Sequence, residues 1–391
     1  MTVHPGMRFS VDPWDPSYGV SLDVAEGQSR QEVDPGVELA IDQWAPIDPP
    51  ADGSAPAATL FVDGVRRVDA QVWVDDGAAA LPALCASYAA GVICCCPSDG
   101  AHLAAAEVRR GIITTAEHAV DVVTGAGRYA VEVIAAKPNQ PPAQALSQRV
   151  QGLLNDVEVA AAGQARERLG IDDDLLVVDG PLRGRDRLAR AVGYIKTHHT
   201  AYLDPEQNAV VARLGPGRRT PLFRLTSTGG WSRYSWYLRL PCPAGAPWAG
   251  IVRLECSAEL AVPEAATLAG RTQVTLARYA SAGYKDSRAP QNLYPIAGLE
   301  RALRRRLGDA GVLYRALRSA AGRPGDAAAG RPGDAAAGRP GDAAAGRPGD
   351  AAAGRPGDAA AGRPDAPKVA LDALDAPKAT FAASSARARA S

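Results

Sequence analysis

Two apolar runs in this chain end on the same dipeptide: Thr59-Leu60-Phe61-Val62-Asp63-Gly64 and Leu175-Leu176-Val177-Val178-Asp179-Gly180. A buried strand that delivers a carboxylate to its end, followed by a glycine that turns the chain away, is one way to build a cation site. Two such carboxylates can share hard divalent ions, which take oxygen ligands. A pair of ions about 4 Å apart activates the attacking oxygen and stabilises the leaving oxygen in phosphodiester hydrolysis. A third carboxylate is expected from an element packed across the sheet. Glu158, in Val157-Glu158-Val159-Ala160-Ala161, has that setting, and Glu107, in Ala104-Ala105-Ala106-Glu107-Val108, is its rival. Lys196, ending Gly193-Tyr194-Ile195-Lys196, can bind the scissile phosphate or orient the water, or can be an ordinary strand-end lysine. The competing reading of each Asp-Gly pair is a hairpin turn.

The elements that must position these residues follow from periodicity. Strands are expected at Thr59–Asp63, Arg67–Val74 and Ala89–Cys96, with further ones at Ile112–Thr115 and Tyr129–Ala135. From Pro142 to Leu169 the apolar residues Leu146, Val150, Leu153, Leu154, Val157, Ala160 and Ala161 step by three and four, which marks an amphipathic helix ended by Gly170. A strand to Asp179, a short helix over Leu188–Val192 and a strand to Lys196 come next. Strands at Pro221–Thr226, Ser235–Leu240 and Gly250–Cys256 follow, then helices at Pro263–Ala280 and from Pro295 through Leu307 towards Arg318. Three meandering strands followed by helix, strand, helix, strand is the order of a ribonuclease H-like core. The expected fold is therefore α/β, a mixed sheet flanked by helices, with Asp63 and Asp179 on neighbouring strands.

The rest of the chain bounds the reading. Of 391 residues, 1–55 form a Pro-, Asp- and Trp-rich extension with expected edge strands at Gly19–Val24 and Val37–Ile41. The expected globular domain is 56–321. From Gly322 the octet Gly-Arg-Pro-Gly-Asp-Ala-Ala-Ala repeats five times, with no large apolar residue to offset the entropy of ordering, so 322–391 is expected to be a disordered tail. Lys+Arg and Asp+Glu both number 43, so there is no global pull towards nucleic acid, although a nuclease needs only a basic groove. Local clusters (Arg183, Arg185, Arg187 and Arg190; Arg218 and Arg219; Arg301, Arg304, Arg305 and Arg306) are solvated surface or phosphate contacts. The adjacent His198 and His199 suit a backbone contact or a plain loop better than a metal. Arg253 and Glu255 share a strand face and read as an internal ion pair. Trp231, Tyr234, Trp236 and Tyr237 beside Arg233 and Arg239 read as a half-buried strand more readily than as a stacking platform. The six cysteines include no Cys-x-x-Cys pair, so small buried thiols are expected rather than structural zinc. The N-terminus has no signal pattern and no apolar run is long enough to span a membrane, which points to a soluble, cytoplasmic protein.

The stretch Leu176-Val177-Val178-Asp179-Gly180-Pro181-Leu182, followed by Val192-Gly193-Tyr194-Ile195-Lys196-Thr197, resembles the NurA family of DNA-end-processing nucleases. Phe61-Val62-Asp63-Gly64 looks like that family's first motif, Glu158 is similar in placement to its helix glutamate, and Ala289-Pro290-Gln291-Asn292-Leu293-Tyr294-Pro295-Ile296 looks like its late Tyr-Pro segment, which makes Tyr294 a further site candidate. The resemblance covers roughly 58–310. It implies a ribonuclease H-like fold, Mn²⁺-dependent (or Mg²⁺-dependent) DNA cleavage in break repair, a homodimer, and a HerA-type hexameric ATPase as partner, with Asp63, Glu158 and Asp179 as metal ligands and Lys196 near the phosphate. The family's histidine after Tyr-Pro is missing from Ala297-Gly298-Leu299-Glu300-Arg301-Ala302, where Glu300 is the substitute oxygen donor. The alternative is a ribonuclease H-like partner that docks on an ATPase or DNA and cuts nothing. A third reading is a ribonuclease of the same fold, since no 2′-hydroxyl reader separates RNA from DNA.

Overall fold

The computed structural model describes residues 31–51, 55–75, 79–185, 187–197, 201–242 and 248–322. The expected strand at Gly19–Val24, the His198-His199 pair and the octet tail beyond Gly322 lie outside them. Among the described residues, eleven strands form one mixed sheet in the order β1-β9-β10-β11-β8-β7-β2-β3-β4-β6-β5. The strands are β1 (Glu32–Asp34), β2 (Ala58–Asp75), β3 (Ala80–Cys96), β4 (Gly100–Thr114), β5 (Val122–Thr124), β6 (Gly127–Val133), β7 (Asp174–Asp179), β8 (Ala191–Ile195), β9 (Phe223–Thr226), β10 (Ser232–Arg239) and β11 (Ile251–Ser257). The helices are α1 (Pro142–Leu169), α2 (Pro205–Ala212), α3 (Val262–Leu276), α4 (Tyr294–Arg306) and α5 (Ala310–Ala321). Among the described residues no helix is long and apolar enough to cross a membrane.

Helix α1 covers one face of the sheet. Its small residues Ala161, Ala162 and Ala165 let it lie close to Leu60, Val62, Leu176 and Val178. Pro142 opens it, and Gly170 closes it in the left-handed conformation at φ 58°. Helices α3 and α4 cover the other face, where Leu268, Leu276, Ile296, Leu299 and Leu303 pack on Phe61, Val65, Val177 and Tyr194. With both faces covered, β2 and β7 are apolar at successive positions rather than alternating, as central strands require.

The meander departs from the sequence reading in an instructive way. The runs Thr59–Asp63 and Arg67–Val74 are one strand, β2, which passes straight through Asp63-Gly64. Gly64 is not a turn residue. A Cβ there would stand 2.5 Å from Glu158 Oε1 and 2.7 Å from Leu154 Cδ1, so glycine is required by the close approach of α1. The Gly64→Ala variant is therefore expected to lose about 1–3 kcal/mol through overpacking. An unchanged midpoint in chemical denaturation would contradict that origin of the glycine. The expected third strand, Ala89–Cys96, is the far half of β3, and Ile112–Thr115 is the end of β4.

Two further corrections concern connections. Among the described residues no helix joins β7 to β8. Residues 180–185 and 187–190 are turns and irregular backbone with positive φ at Gly180 (93°), Gly184 (77°) and Arg190 (49°), and Arg190 is tied to Asp174. Val37–Ile41 is not a strand; β1 lies just before it and pairs with β9, which makes this part of the extension an edge of the same sheet. The final helix is broken at Gly308 (φ 82°) and restarts where Asp309 Oδ1 accepts from the Val312 N–H at 2.8 Å.

Candidate active site

The decisive feature of the topology is that β2 and β7 are parallel neighbours. Their register pairs Val62 with Val178, so the next residue on each strand is an aspartate, Asp63 and Asp179. Both line one cavity of about 270 Å³, with Gly64, Val65, Arg66, Glu300 and Arg304 as the remaining wall. Asp63 Oδ1 accepts from the Gly64 N–H at 2.7 Å. Lys196 arrives from the end of β8, parallel to β7, and Nζ donates to Asp179 Oδ2 at 2.8 Å. It also donates to Asn292 Oδ1 at 3.2 Å, and Asn292 Nδ2 donates to Asp286 Oδ2 at 2.5 Å.

Burial, followed by the charge of Asp179, raises the Asp63 carboxyl well above its ordinary value; Lys196 opposes this and Glu158 adds to it. Glu158 is buried on α1 against Gly64. Arg185 Nη2 contacts its Oε2 as a charge pair and donates to Asn155 Oδ1 at 2.7 Å. Glu158 thus borders the carboxylates from the α1 side but does not line the cavity. Among the described residues, Asp63, Glu158 and Asp179 do not bring their oxygens within 4.8 Å of one another as a single group.

Burial pushes the Glu158 carboxyl up from 4.5 to about 7; Arg185 pulls it back and Asp179 adds to the rise. The sign follows directly. Between 4.5 and 7 the folded form holds the proton more tightly than the unfolded chain, so this group's contribution to stability is lost as pH rises through that window. In chelator, wild type is expected to lose more thermal stability than Glu158→Gln between pH 5 and pH 8 (about one unit beyond the upper limit). Parallel curves would contradict the assignment.

The remaining candidates divide. Glu300 lies on the cavity wall, paired to Arg304 at 2.8 Å and Arg288 at 3.6 Å. Although burial acts against it, the Arg304 hydrogen bond and the charges of Arg288, Arg304 and Lys196 hold its carboxyl below the ordinary value. Glu107 sits on β4 opposite Ala90, paired to Arg109 at 2.6 Å, and does not line the cavity. The Tyr294 hydroxyl accepts from the Ala282 N–H at 3.0 Å, which makes it a brace for the preceding loop rather than a wall residue. Of the basic clusters, Arg185, Arg190 and Arg219 are committed to Glu158, Asp174 and Glu38, whereas Arg301, Arg305 and Arg306 are exposed on α4. Arg253 pairs with Glu255 at 2.8 Å, and Trp236 and Tyr237 are buried core. Asn292 and Arg66 were missed in the sequence, whereas Arg304 was read there within a basic cluster. The only signal for Asn292 was its place just before Tyr294-Pro295.

A second group of ligating side chains lies elsewhere: Cys94, Cys96 and His102 have ligand atoms within 4.8 Å of one another. A strand brings alternate residues to one face, so this group forms without a Cys-x-x-Cys spacing. Thiol and imidazole donors do not suit Mn²⁺ or Mg²⁺.

Compared with protein-family models and with curated proteins, the chain has no match to either.

Proposed function

We propose that this protein is a divalent-metal-dependent DNA nuclease built on a ribonuclease H-like core. The observation that carries the reading is the juxtaposition of Asp63 and Asp179 on adjacent parallel strands, in one open cavity, with Lys196 bound to Asp179. The sheet order β4-β3-β2-β7-β8, with β7 and β8 parallel to β2, supports the fold assignment. The donor set fits a hard cation. Both aspartates offer carboxylate oxygens, and the raised Asp63 carboxyl is what a buried anion beside another anion produces when cationic charge is short.

In this reading Asp63 and Asp179 hold Mn²⁺ or Mg²⁺, with Glu300 on the wall and Glu158 behind Gly64. The ion supplies Lewis-acid stabilisation of charge on the phosphoryl oxygens. The chain's own groups do the rest. Lys196, fixed by Asp179 and Asn292, holds a nearly buried cation against Asp179, and its charge adds to the attraction for a phosphate in the neighbouring cavity. Arg66 and Arg304 border the same cavity, and the exposed Arg301, Arg305 and Arg306 extend the basic rim along α4. Such a rim binds a phosphate backbone without reading sequence. The homodimer, the HerA-type ATPase partner and the cytoplasmic setting belong to this proposal through the family resemblance.

Two observations favour the non-cutting alternative: Arg185 already neutralises Glu158, one of the three expected ligands, and among the described residues the three carboxylates do not gather into one ligand group. Labelled single- and double-stranded DNA, incubated with the purified chain in Mn²⁺, in Mg²⁺ and in chelator, separates the readings. Cleavage with metal and none with chelator is expected. Binding of DNA without cleavage in either metal supports the alternative, and cleavage of RNA only would make the enzyme a ribonuclease.

A further inference from the structure

The tip of the β3–β4 hairpin carries a cluster unrelated to the carboxylate cavity. Cys94 and Cys96 are two apart on β3, so both side chains point to the same face. His102, on β4, is the direct cross-strand partner of Cys94. The two sulfurs and an imidazole nitrogen lie within 4.8 Å of one another. Zinc–sulfur bonds near 2.3 Å and zinc–nitrogen bonds near 2.1 Å set tetrahedral ligand atoms about 3.5–4 Å apart, so small side-chain adjustments close the group on an ion.

One observation beyond the cluster geometry points to a ligand. His102 Nδ1 is buried and has no hydrogen-bond partner among the described residues. A buried ring nitrogen left this way is costly unless something fills it. In the turn, the exposed Asp99 accepts from Cys96 Sγ at 3.8 Å through Oδ2, beside the three-ligand group but not part of it. Cys94 forms a closed floor against the alanines of α1, while Cys96 and His102 are half-buried and give an entry from solvent. Apolar packing and turn hydrogen bonds to Ser98 and Asp99 account for the cysteines singly, but not for the unpartnered His102 Nδ1 beside them.

We infer that Cys94, Cys96 and His102 form a Zn²⁺ site, completed by Asp99 or a water. Two thiolates and an imidazole select a borderline-soft ion over Mg²⁺ or Mn²⁺, and an oxygen donor at the fourth position, carboxylate or water, favours Zn²⁺ over Cu⁺. The ion clips the hairpin end. Cys94 pairs with Leu60 of β2, the strand that carries Asp63, so the clip braces the strand beneath the cavity from the α1 side. This assignment stands apart from the nuclease reading.

The test uses the full chain, reduced and stripped of metal, titrated with Co²⁺ as a spectroscopic substitute for Zn²⁺. One equivalent is expected to give a thiolate-to-cobalt charge-transfer band and intense tetrahedral visible bands, both abolished when Zn²⁺ displaces the cobalt. Cys96→Ser and His102→Gln, at half-buried positions, are expected to weaken binding by roughly a hundredfold or more. Zn²⁺ is expected to raise the melting temperature of wild type and not of Cys96→Ser. The Asp63→Asn/Asp179→Asn double variant is expected to keep the thiolate band, which separates this site from the carboxylates. Absence of the band at saturating Co²⁺ in folded, reduced protein, or its survival in a Cys96→Ser/His102→Gln double variant, would overturn the assignment.

Discussion

Asp179→Ala is expected to reduce Mn²⁺-dependent DNA cleavage about a thousandfold or more while leaving the fold intact. A Lewis-acid ion contributes several kcal/mol to the transition state, and each ~1.4 kcal/mol is tenfold in rate. Losing one of two facing ligands forfeits most of that. The fold should survive because the Asp179 side chain is partly solvated and sits beside a buried carboxyl that its charge destabilises. Lys196 keeps its bond to Asn292. Thermal stability in chelator should therefore be equal to or above wild type, which distinguishes a lost ligand from a damaged sheet. Cleavage at the wild-type rate would remove Asp179 from the mechanism.

The largest loss of stability is expected at a residue outside the cavity. Glu255, on β11, is fully buried and accepts from Arg253 Nη1 at 2.8 Å, from Arg233 Nε at 3.0 Å and from the Leu182 N–H at 2.7 Å. Glu255→Ala leaves two buried guanidinium groups without an anion, which costs about 3–5 kcal/mol. It also orphans an N–H in the turn that follows Asp179, worth about another 1–3 kcal/mol. Glu255→Gln retains acceptors and should lose less. Urea denaturation reads both. A loss below about 1 kcal/mol in the alanine variant would show that the arginines find other partners.

How much of this was legible depended on how local the cause was. Helix α1 was readable to its ends, because Pro142 and Gly170 bracket a regular apolar stripe. The adjacency of Asp63 and Asp179 was readable from element order, a meander of strands followed by a helix and a strand, and the β2–β7 register bears it out. The continuity of β2 was not, because Gly64 looks like punctuation until Glu158 and Leu154 are seen above it. Long-range pairings were hidden for the same reason. Arg185 looked like one of a surface cluster and is the buried partner of Glu158. Asn292 holds Lys196 across the fold, and His102 meets the cysteines only once β3 and β4 pair.

The central claim is that Asp63 and Asp179 together hold the catalytic ion. Crystals grown in MnCl₂ and measured at the manganese absorption edge test it most directly. An anomalous peak within coordination distance of both carboxylates, about 2.2 Å from the nearest oxygen of each, is the expected result. Clear density for both side chains with no anomalous peak between them, in the presence of saturating Mn²⁺, would contradict it.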